Sequence, residues 1–322
     1  MRIGINKIKE VGYSEISLYP KKCIVDSRKE CDTSVTLGNR KFDVPIYPSN
    51  MKSVINEKTC TFLAENNWFY TMHRFGEEII PKEFIEKMIA RNLFSSVSIG
   101  VNKESEKALY QTKDYLIDYI TLDVANAWSD KAKRMADFAK KNHPKSFLIV
   151  GNVASPEAVE DIQRWKTVDA IKVGIAGGSV CITKTKTGFH RPMVSTVLDC
   201  YSVSEIPIIA DGGIREHGDI AKALACGATM VMAGSLFAGY DESAGNIIEI
   251  EDKYYKEYFG SASKYNKEEI KNIEGKKILI PYRGPMKKLL KELKEDLQSS
   301  ISYAGGNSLM HLNDDLIIFL GE

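Results

Sequence analysis

The sequence has almost no net charge, because 44 basic side chains stand against 43 acidic ones. A protein that binds nucleic acid or acidic membranes through charge needs a basic excess. Long hydrophobic runs are also missing, since no stretch approaches the roughly 20 apolar residues that a membrane helix requires. The N-terminal MRIGINKIKE contains no apolar secretory core. We therefore expect a cytoplasmic protein that binds neither nucleic acid nor a membrane.

The cysteines form no CxxC pair and have no regular spacing. There are six: Cys23, Cys31, Cys60, Cys181, Cys200 and Cys226. Zinc sites and disulfide frameworks both need recurring short spacings, so neither is predicted. The default expectation for each cysteine is a reduced, buried thiol.

From about residue 43 to 237 the chain alternates short β-branched apolar runs with amphipathic segments of helical period. This alternation is typical of a parallel sheet with crossover helices. Strands are predicted at 44–48, 68–73, 95–100, 119–123, 147–151, 170–173, 207–211 and 229–234, and helices at 57–65, 81–90, 130–141, 156–165 and 217–225. Eight strands with helices between them predict an α/β fold, the (β/α)₈ or TIM barrel.

The tail of the chain breaks this pattern. A Lys/Glu/Tyr-rich stretch at 249–277 is followed by a PYRGP turn and an amphipathic segment at about 286–297. We interpret the tail as a C-terminal flap with a closing helix. The expected organisation is a single domain over 1–322, with the barrel core at about 43–240 and the flap and C-terminal segment at about 241–322.

Most predicted strands end in a polar or glycine-rich patch. The patches are SNM at 49–51, HRF at 73–75, DVANA at 123–127, GNVAS at 151–155, DGG at 211–213 and AGS at 233–235. In such barrels the active site forms from the loops after the strands, so these patches should meet at one mouth. The alternative is that they only make turns, which explains any single patch better than it explains all of them.

Two of these patches, at 211–213 and 234–235, follow the seventh and eighth strands, where this fold commonly binds phosphate. Glycine N–H groups can approach an anion closely, and a following helix N-terminus favours negative charge. Gly177-Gly178-Ser179, after strand six, adds a third set of donors. The patterns favour a phosphate site over plain turns.

Cys181 lies just past the sixth strand in GIAGGSVCITKTKTGF, with Lys184 and Lys186 close behind it. Nearby cations and loop N–H groups favour the reactive thiolate. A buried, inert thiol is the competing interpretation, and the residues alone leave both open. His73 and Asp123 are candidate polar groups of the mouth or strand-end caps, and His190 a surface or phosphate-facing residue. His143 and His311 are expected to be solvated, and Arg283 exposed.

At the cysteine loop the sequence becomes specific. GGSVCITKTKTGF and the segment IPIIADGGIREHGDIAKALACGATMVMAGSLFAGYDESAG closely resemble the IMP dehydrogenase and GMP reductase family. DTSVTLG, YPSNM, MHRF, TLDVANAWS, GNVASPEAV, YKEYFGSAS, EGKK and QSSISYAGG extend the resemblance over nearly the whole chain. The chain lacks the regulatory insertion of a typical dehydrogenase after the second helix, and its flap has no Arg-Tyr pair. It therefore resembles the reductase branch, whose reaction serves purine salvage.

The resemblance implies covalent catalysis with NADPH. Cys181 would attack C2 of the purine of GMP, ammonia would leave, and hydride would replace the sulfur at C2 to give IMP. Thr183 and Glu274 would handle the proton that lets ammonia leave. A homotetramer is also implied, as is a candidate monovalent-cation (K⁺) site near Gly174, Gly177 and Cys181.

The remaining site residues are also carried over from the resemblance. Those matching the nucleotide contacts of the family are Ser179, Gly213, Gly234 and Ser235 for phosphate, Asp211 for ribose, and Ser261, Ala262 and Gly275 for the base. Those matching the cofactor contacts are Asp123 and Asn126 near the nicotinamide, and Tyr303, which would complete the site of a neighbouring subunit.

The chain departs from the family at the cysteine loop. Family members usually read GxGPGSxC, whereas Ala176 here replaces a glycine, Gly177 replaces the proline, and His190 stands where a later glycine is expected. If the replaced glycine needs a positive φ, alanine costs energy there. A modified or deoxy purine nucleotide is therefore an alternative substrate.

Three other interpretations are kept. A dehydrogenase would use Cys181 in the same way but oxidise IMP with NAD and water, and the missing flap arginine argues against it. A non-catalytic nucleotide-binding barrel would have no need of Thr183 and Glu274. A phosphosugar isomerase explains the phosphate patches but not the cysteine loop, although fold alone does not exclude it.

Overall fold

A computed structural model of the chain describes residues 10–261, 263 and 274–320. Its strands are β1 (Ile16–Leu18), β2 (Val35–Leu37), β3 (Arg40–Phe42), β4 (Ile46–Pro48), β5 (Ser96–Ile99), β6 (Tyr119–Asp123), β7 (Phe147–Val153), β8 (Ala170–Val173), β9 (Ile208–Asp211), β10 (Met230–Ala233), β11 (Ile247–Ile250), β12 (Lys253–Phe259), β13 (Lys277–Pro281) and β14 (Ile317–Phe319). Its α-helices are α1 (Glu57–Glu65), α2 (Lys82–Ala90), α3 (Lys103–Gln111), α4 (Asp130–Asn142), α5 (Pro156–Gln163), α6 (Thr183–Thr187), α7 (Met193–Ser202), α8 (His217–Ala225) and α9 (Met286–Tyr303).

A parallel sheet of seven strands forms the centre of the fold, in the order β4-β10-β9-β8-β7-β6-β5. The first strand therefore pairs with the last, as a barrel requires. The predicted strand at 68–73 is reduced to one parallel bridge between Met72 and Val97. The Tyr70 hydroxyl explains this, because it accepts from the Ser96 N–H at 3.3 Å and so takes a ladder donor. The α/β barrel class predicted from the sequence is confirmed.

The other seven predicted strands and the five predicted helices are present, with ends that differ by at most two residues. Asparagine or serine caps fix several helix starts; Ser129, for example, accepts from the N–H of Ala132. Three further helices were not predicted: α3, α7 and the five-residue α6, in which no residue is buried. In α3 only Ser105 and Leu109 are buried, which leaves little apolar periodicity. In α7 the β-branched Val194, Thr196 and Val197 give low helix propensity, and tertiary packing decides the conformation.

Aromatic side chains fill one end of the barrel. Phe42 in the β2–β3 hairpin packs against Phe69, Phe94 and Tyr119, with ring centroids 5.2–6.1 Å apart, and all four are buried. Burying each such side chain stabilises the fold by roughly 1.5–3 kcal/mol. The Tyr119 hydroxyl also donates to the Leu37 carbonyl at 2.7 Å. The hairpin thus closes the end where β6 begins and leaves the carboxyl ends of the strands for a cavity.

The tail contains a three-stranded antiparallel sheet, β11–β12–β13, within the predicted flap, and α9, which is longer than the predicted 286–297. The leucine and isoleucine stripe of α9 is buried through Ile301, so the helix extends beyond the strongest part of the pattern. Strand β1 pairs with β14, which brings the two described ends of the chain together. None of the helices in the described ranges is long and apolar enough to cross a membrane.

Several expectations about single residues are wrong. His143 is buried rather than solvated, because it caps α4 and packs against α3 near the Leu109 carbonyl, 3.0 Å away. His311 is half-buried against Gly306. Of the six thiols, four are buried, whereas Cys23 is exposed beside Ser302 and Cys181 is partly exposed.

Candidate active site

A cavity of about 580 Å³ opens at the carboxyl ends of the central strands. The loops after most of these strands contribute to it, as the sequence predicts for the barrel mouth. Predicted site residues that line it are Asp123, Gly174, Gly177, Ser179, Cys181, Thr183, Asp211, Gly213, Gly234, Ser235, Ser261 and Glu274. Residues far apart in sequence therefore converge on one space of the size typical for small-molecule sites.

Cys181 begins a short chain of polar contacts, which we call the relay. The Cys181 thiol donates to the Thr183 hydroxyl at 3.2 Å, and that hydroxyl donates to Oε2 of Glu274 at 2.5 Å. All three side chains are partly exposed to the cavity. A carboxylate that polarises a hydroxyl beside a thiol is a suitable arrangement for moving a proton close to the sulfur.

Backbone pairing holds the relay together. Cys181 and Gly275 form an antiparallel bridge. The Ile182 N–H donates to the Glu274 carbonyl at 2.8 Å, and the Lys276 N–H donates to the Val180 carbonyl at 2.9 Å. Gly275 itself does not line the cavity, and its Cα packs against Gly260. The cysteine loop is thus fixed to the return segment of the flap, 91 residues further along the chain.

Glycines allow the loops to pack closely. Gly174 has a φ of +131°, and a Cβ there would lie 2.2 Å from the Asp211 carbonyl oxygen. A Cβ at Gly234 would lie 2.2 Å from the hydroxyl of Tyr258, a buried side chain that lines the cavity beside Ser179. Burial raises the pKa of Tyr258 and outweighs the hydrogen bond with Ser179, which lowers it, so the phenol stays neutral. Tyr258 was not predicted, because nothing in the flap sequence marks it.

Ala176 adopts a φ of +60°, in the left-handed region that favours glycine. The loop position therefore has the positive φ at which replacing glycine by alanine costs energy. The backbone keeps the glycine-like conformation although the residue is alanine. Such a conformation costs an L-residue roughly 1–2 kcal/mol.

A buried ammonium group lies under the cavity. Lys172, in the middle of β8, is 1% exposed. Its Nζ donates to Oδ2 of Asp211 at 2.6 Å, to Oδ1 of Asn152 at 2.5 Å and to Oδ1 of Asp123 at 3.2 Å. Burial alone would lower the pKa of Lys172, but the two carboxylates outweigh it and raise this pKa above its ordinary value.

Asp123 shows the complementary effect. Burial alone would raise its pKa, but the charges of Lys172 and Arg74 hold it below the usual range. Asp211 also accepts from the Asn152 amide at 2.9 Å. Sequence reasoning missed Lys172, although a lysine between apolar residues in a predicted buried strand is itself a signal.

Some predicted residues do not reach the cavity. Asn126 is exposed, and its side chain accepts from the Trp128 N–H. Tyr303 is 59% exposed at the end of α9, on a different surface. His73 lies outside the lining and accepts from the Phe75 N–H at 3.1 Å, and His190 lies 3.4 Å from the Ile175 carbonyl. Ala262 lies outside the described residues.

Two of the residues predicted near a cation already accept hydrogen bonds through their backbone carbonyls. The Gly174 carbonyl accepts from the Asn152 amide at 2.7 Å, and the Gly177 carbonyl accepts from the Gly213 N–H at 2.9 Å. Within the described ranges, no group of three or more His, Cys, Asp or Glu side chains could hold a metal ion. The cation site stays a prediction.

Comparison with known proteins gives a consistent result. Residues 10–319 match the IMP dehydrogenase / GMP reductase domain. A GMP reductase of Chromobacterium violaceum is 60% identical over 307 residues, which cover 95% of this chain and 96% of that protein. A GMP reductase of Acidovorax sp. is 49% identical over 317 residues (96% and 95%), and one of Oceanobacillus iheyensis is 51% identical over 301 residues (92% and 91%). The similarity spans the barrel, the flap and α9.

Proposed function

Because the chain belongs to the IMP dehydrogenase and GMP reductase family, we propose that it is a GMP reductase that converts GMP to IMP and ammonia with NADPH. The observation that carries the proposal is the relay from Cys181 through Thr183 to Glu274 inside the cavity. A nucleophile, a hydroxyl and a carboxylate in hydrogen-bond contact form the set that covalent replacement of an amino group requires.

The reaction proceeds in two steps. The Cys181 sulfur forms a bond to C2 of the purine, while the relay protonates the amino group so that it leaves as ammonia. The resulting thioimidate carries the purine on the enzyme. In the second step hydride takes the place of sulfur at C2, and the thiolate departs with the electron pair of the broken C–S bond. Each of the two steps has a lower activation barrier than a direct displacement of the amino group by hydride.

The nucleotide lies along the rim of the cavity in this proposal. Ser179, Gly213, Gly234 and Ser235 contact the phosphate, and the Tyr258 hydroxyl lies beside Ser179 on the same side. Asp211, held by Lys172, accepts hydrogen bonds from the ribose hydroxyls. Ser261 and the backbone near Gly275 contact the base, and Ala262 is assigned to the same group from the sequence alone.

The cofactor lies next to Arg74, Phe75, Asp123 and Ala125 in this proposal, and all four residues line the cavity. Among the described residues the Nε of Arg74 is buried and makes no hydrogen bond, so a polar group of a ligand is suited to this position. When bound, the nicotinamide supplies hydride. Asp123 orients this half, and Asn126 extends the contact at its exposed edge.

Tyr303 serves a neighbouring subunit in this proposal, since it faces away from the cavity of its own chain. We infer a homotetramer that acts in the cytoplasm as one barrel domain with a flap. A potassium ion near the cysteine loop would share the carbonyls of Gly174 and Gly177 with existing hydrogen bonds. No step of the reaction depends on it.

The test measures NADPH absorbance and ammonia release after the protein is mixed with GMP and NADPH. A parallel assay measures NADH formation from IMP and NAD. We expect NADPH consumption with GMP and no NADH from IMP, because residues 241–277 contain no arginine to activate water. Cys181→Ala should abolish turnover and keep GMP binding. A Cys181→Ala enzyme that still consumes NADPH would contradict the covalent mechanism, and NADH formation from IMP would favour the dehydrogenase.

A further inference from the structure

Lys172 occupies a position that a barrel strand normally gives to an apolar side chain. It lies in register with Gly151 of β7 and Ile209 of β9. Burying an ammonium group costs several kcal/mol unless bonds compensate it. Here all three N–H donors have partners: Asp123, Asn152 and Asp211. The ammonium is therefore fully satisfied and fixed in one orientation.

The neighbouring strand is adapted to this lysine. A Cβ at Gly151 would lie 2.5 Å from the Cβ of Lys172 and 2.7 Å from its carbonyl oxygen. Any side chain at 151 would therefore displace Lys172. Gly151 also pairs with Asp123 in the β6–β7 ladder, so it separates the lysine from the carboxylate that the lysine must reach. The glycine leaves that space open.

One nitrogen thus joins two carboxylates on two different strands. Lys172 uses Oδ1 of Asp123 and Oδ2 of Asp211 and so fixes the direction of the second oxygen of each. Asn152 donates to the same Oδ2 of Asp211 and accepts from Lys172, which closes the cluster. A movement of either carboxylate must shift the ammonium and with it the other carboxylate.

We propose that Lys172 is a positioning residue that couples nucleotide binding at Asp211 to cofactor binding at Asp123. This role rests on the proposed function, which assigns Asp211 to ribose and Asp123 to the nicotinamide side. A ligand that orders one carboxylate also orders the other through Lys172, so the second ligand binds an already ordered site. The coupling is reciprocal by thermodynamic linkage.

The experiment measures GMP affinity by calorimetry with and without saturating NADP⁺, which cannot reduce GMP and so forms a stable ternary complex. NADPH turnover of the wild type is measured first and tests the proposed function separately. We expect GMP to bind at least about fivefold more tightly with NADP⁺ in the wild type, a typical coupling factor. In Lys172→Met this factor should fall to one.

Lys140→Met is the matched control. Lys140 donates to the Ser146 carbonyl at 2.6 Å and to Asp169 at 2.5 Å, at the opposite end of the strands. It should keep the wild-type coupling factor although it also loses the ion pair of a partly buried ammonium group. If Lys172→Met does not fold, Asp123→Asn decides: it should weaken GMP binding without cofactor at least about threefold, as coupled neighbours do.

An active wild type without coupling, a Lys172→Met enzyme that keeps the coupling, or an Asp123→Asn enzyme with unchanged GMP affinity would each overturn the positioning role and leave the proposed function intact. A wild type that binds GMP but consumes no NADPH would instead refute the proposed function.

Discussion

The relay makes a quantitative prediction for Thr183. Its hydroxyl accepts from the Cys181 thiol at 3.2 Å and donates to Glu274 at 2.5 Å, so it is the only atom that joins the two in the described contacts. Thr183→Val keeps the shape and removes both bonds. General acid-base groups contribute roughly 10²–10⁴-fold to rates. We expect kcat to fall about 10²–10³-fold, or about 3–4 kcal/mol of transition-state stabilisation.

The assay is NADPH oxidation at saturating GMP, with GMP affinity measured separately. The affinity for GMP should change little, because the relay moves a proton to the leaving amino group and does not hold the phosphate or the ribose. Thr183→Ser keeps the hydroxyl and should recover most of the rate. Thr185→Val, on the same short helix but exposed and outside the cavity lining, is the matched control and should behave like the wild type.

The decisive comparison combines Thr183→Val with Glu274→Gln. If the two groups work through one hydrogen-bonded path, each single change removes the same contribution, and the double variant is no slower than the slower single one. Independent contributions would instead multiply, and the double variant would lose about 10⁴-fold or more. A multiplicative loss would refute the relay.

Three further predictions follow from local geometry. Ala176→Gly removes the strain of an L-residue at a φ of +60°, which stabilises the folded state by roughly 1–2 kcal/mol, but it also adds roughly 0.4–1 kcal/mol of conformational entropy to the unfolded chain. Calorimetry should therefore show an unchanged or slightly higher Tm, and a clear drop in Tm would contradict the strain. Gly234→Ala forces the Tyr258 hydroxyl to move, since a Cβ would lie 2.2 Å away, so KM for GMP should rise at least about tenfold, whereas Gly218→Ala, with open space around its Cβ, should not change it. Burial, and then the Lys52 charge, lower the pKa of His73 to about 4. Because the pKa in the unfolded chain is about 6.5, the contribution of His73 to stability is complete above pH 6.5 and is lost as the pH falls toward 4, by about 2 kcal/mol between pH 7 and 5. Urea unfolding of His73→Gln should therefore show a smaller loss of stability over this pH range than the wild type.

Local sequence patterns were enough to predict most of the barrel. Apolar β-branched runs such as 170–173 and amphipathic runs such as 57–65 carry their own periodicity, so their ends were predicted within two residues. The strand at 68–73 was overpredicted, because its ladder donor is taken by a tyrosine hydroxyl from within the same segment. That competition depends on side-chain geometry, which periodicity does not contain.

The cysteine loop and the glycine patches were also recognisable in the sequence, because each is a short contiguous motif whose residue types are dictated by its own chemistry and backbone. The positive φ of Ala176 was only a condition raised by the motif comparison, and the structure shows it. The residues that these motifs contact elsewhere in the chain could not be recognised in this way. Thr183 and Glu274 were paired through resemblance, and only the structure shows their contact across 91 residues.

The sequence by itself therefore determined the alternation that makes a barrel and the residues that end its strands, since both are local properties of the chain. Only the tertiary structure decided that Lys172 lies between Asp123 and Asp211, that His143 is buried and that Tyr258 lines the cavity beside Ser179. The reason is physical: burial, and the pKa of a buried group, depend on neighbours contributed by several strands and helices, and no single segment of the sequence contains them.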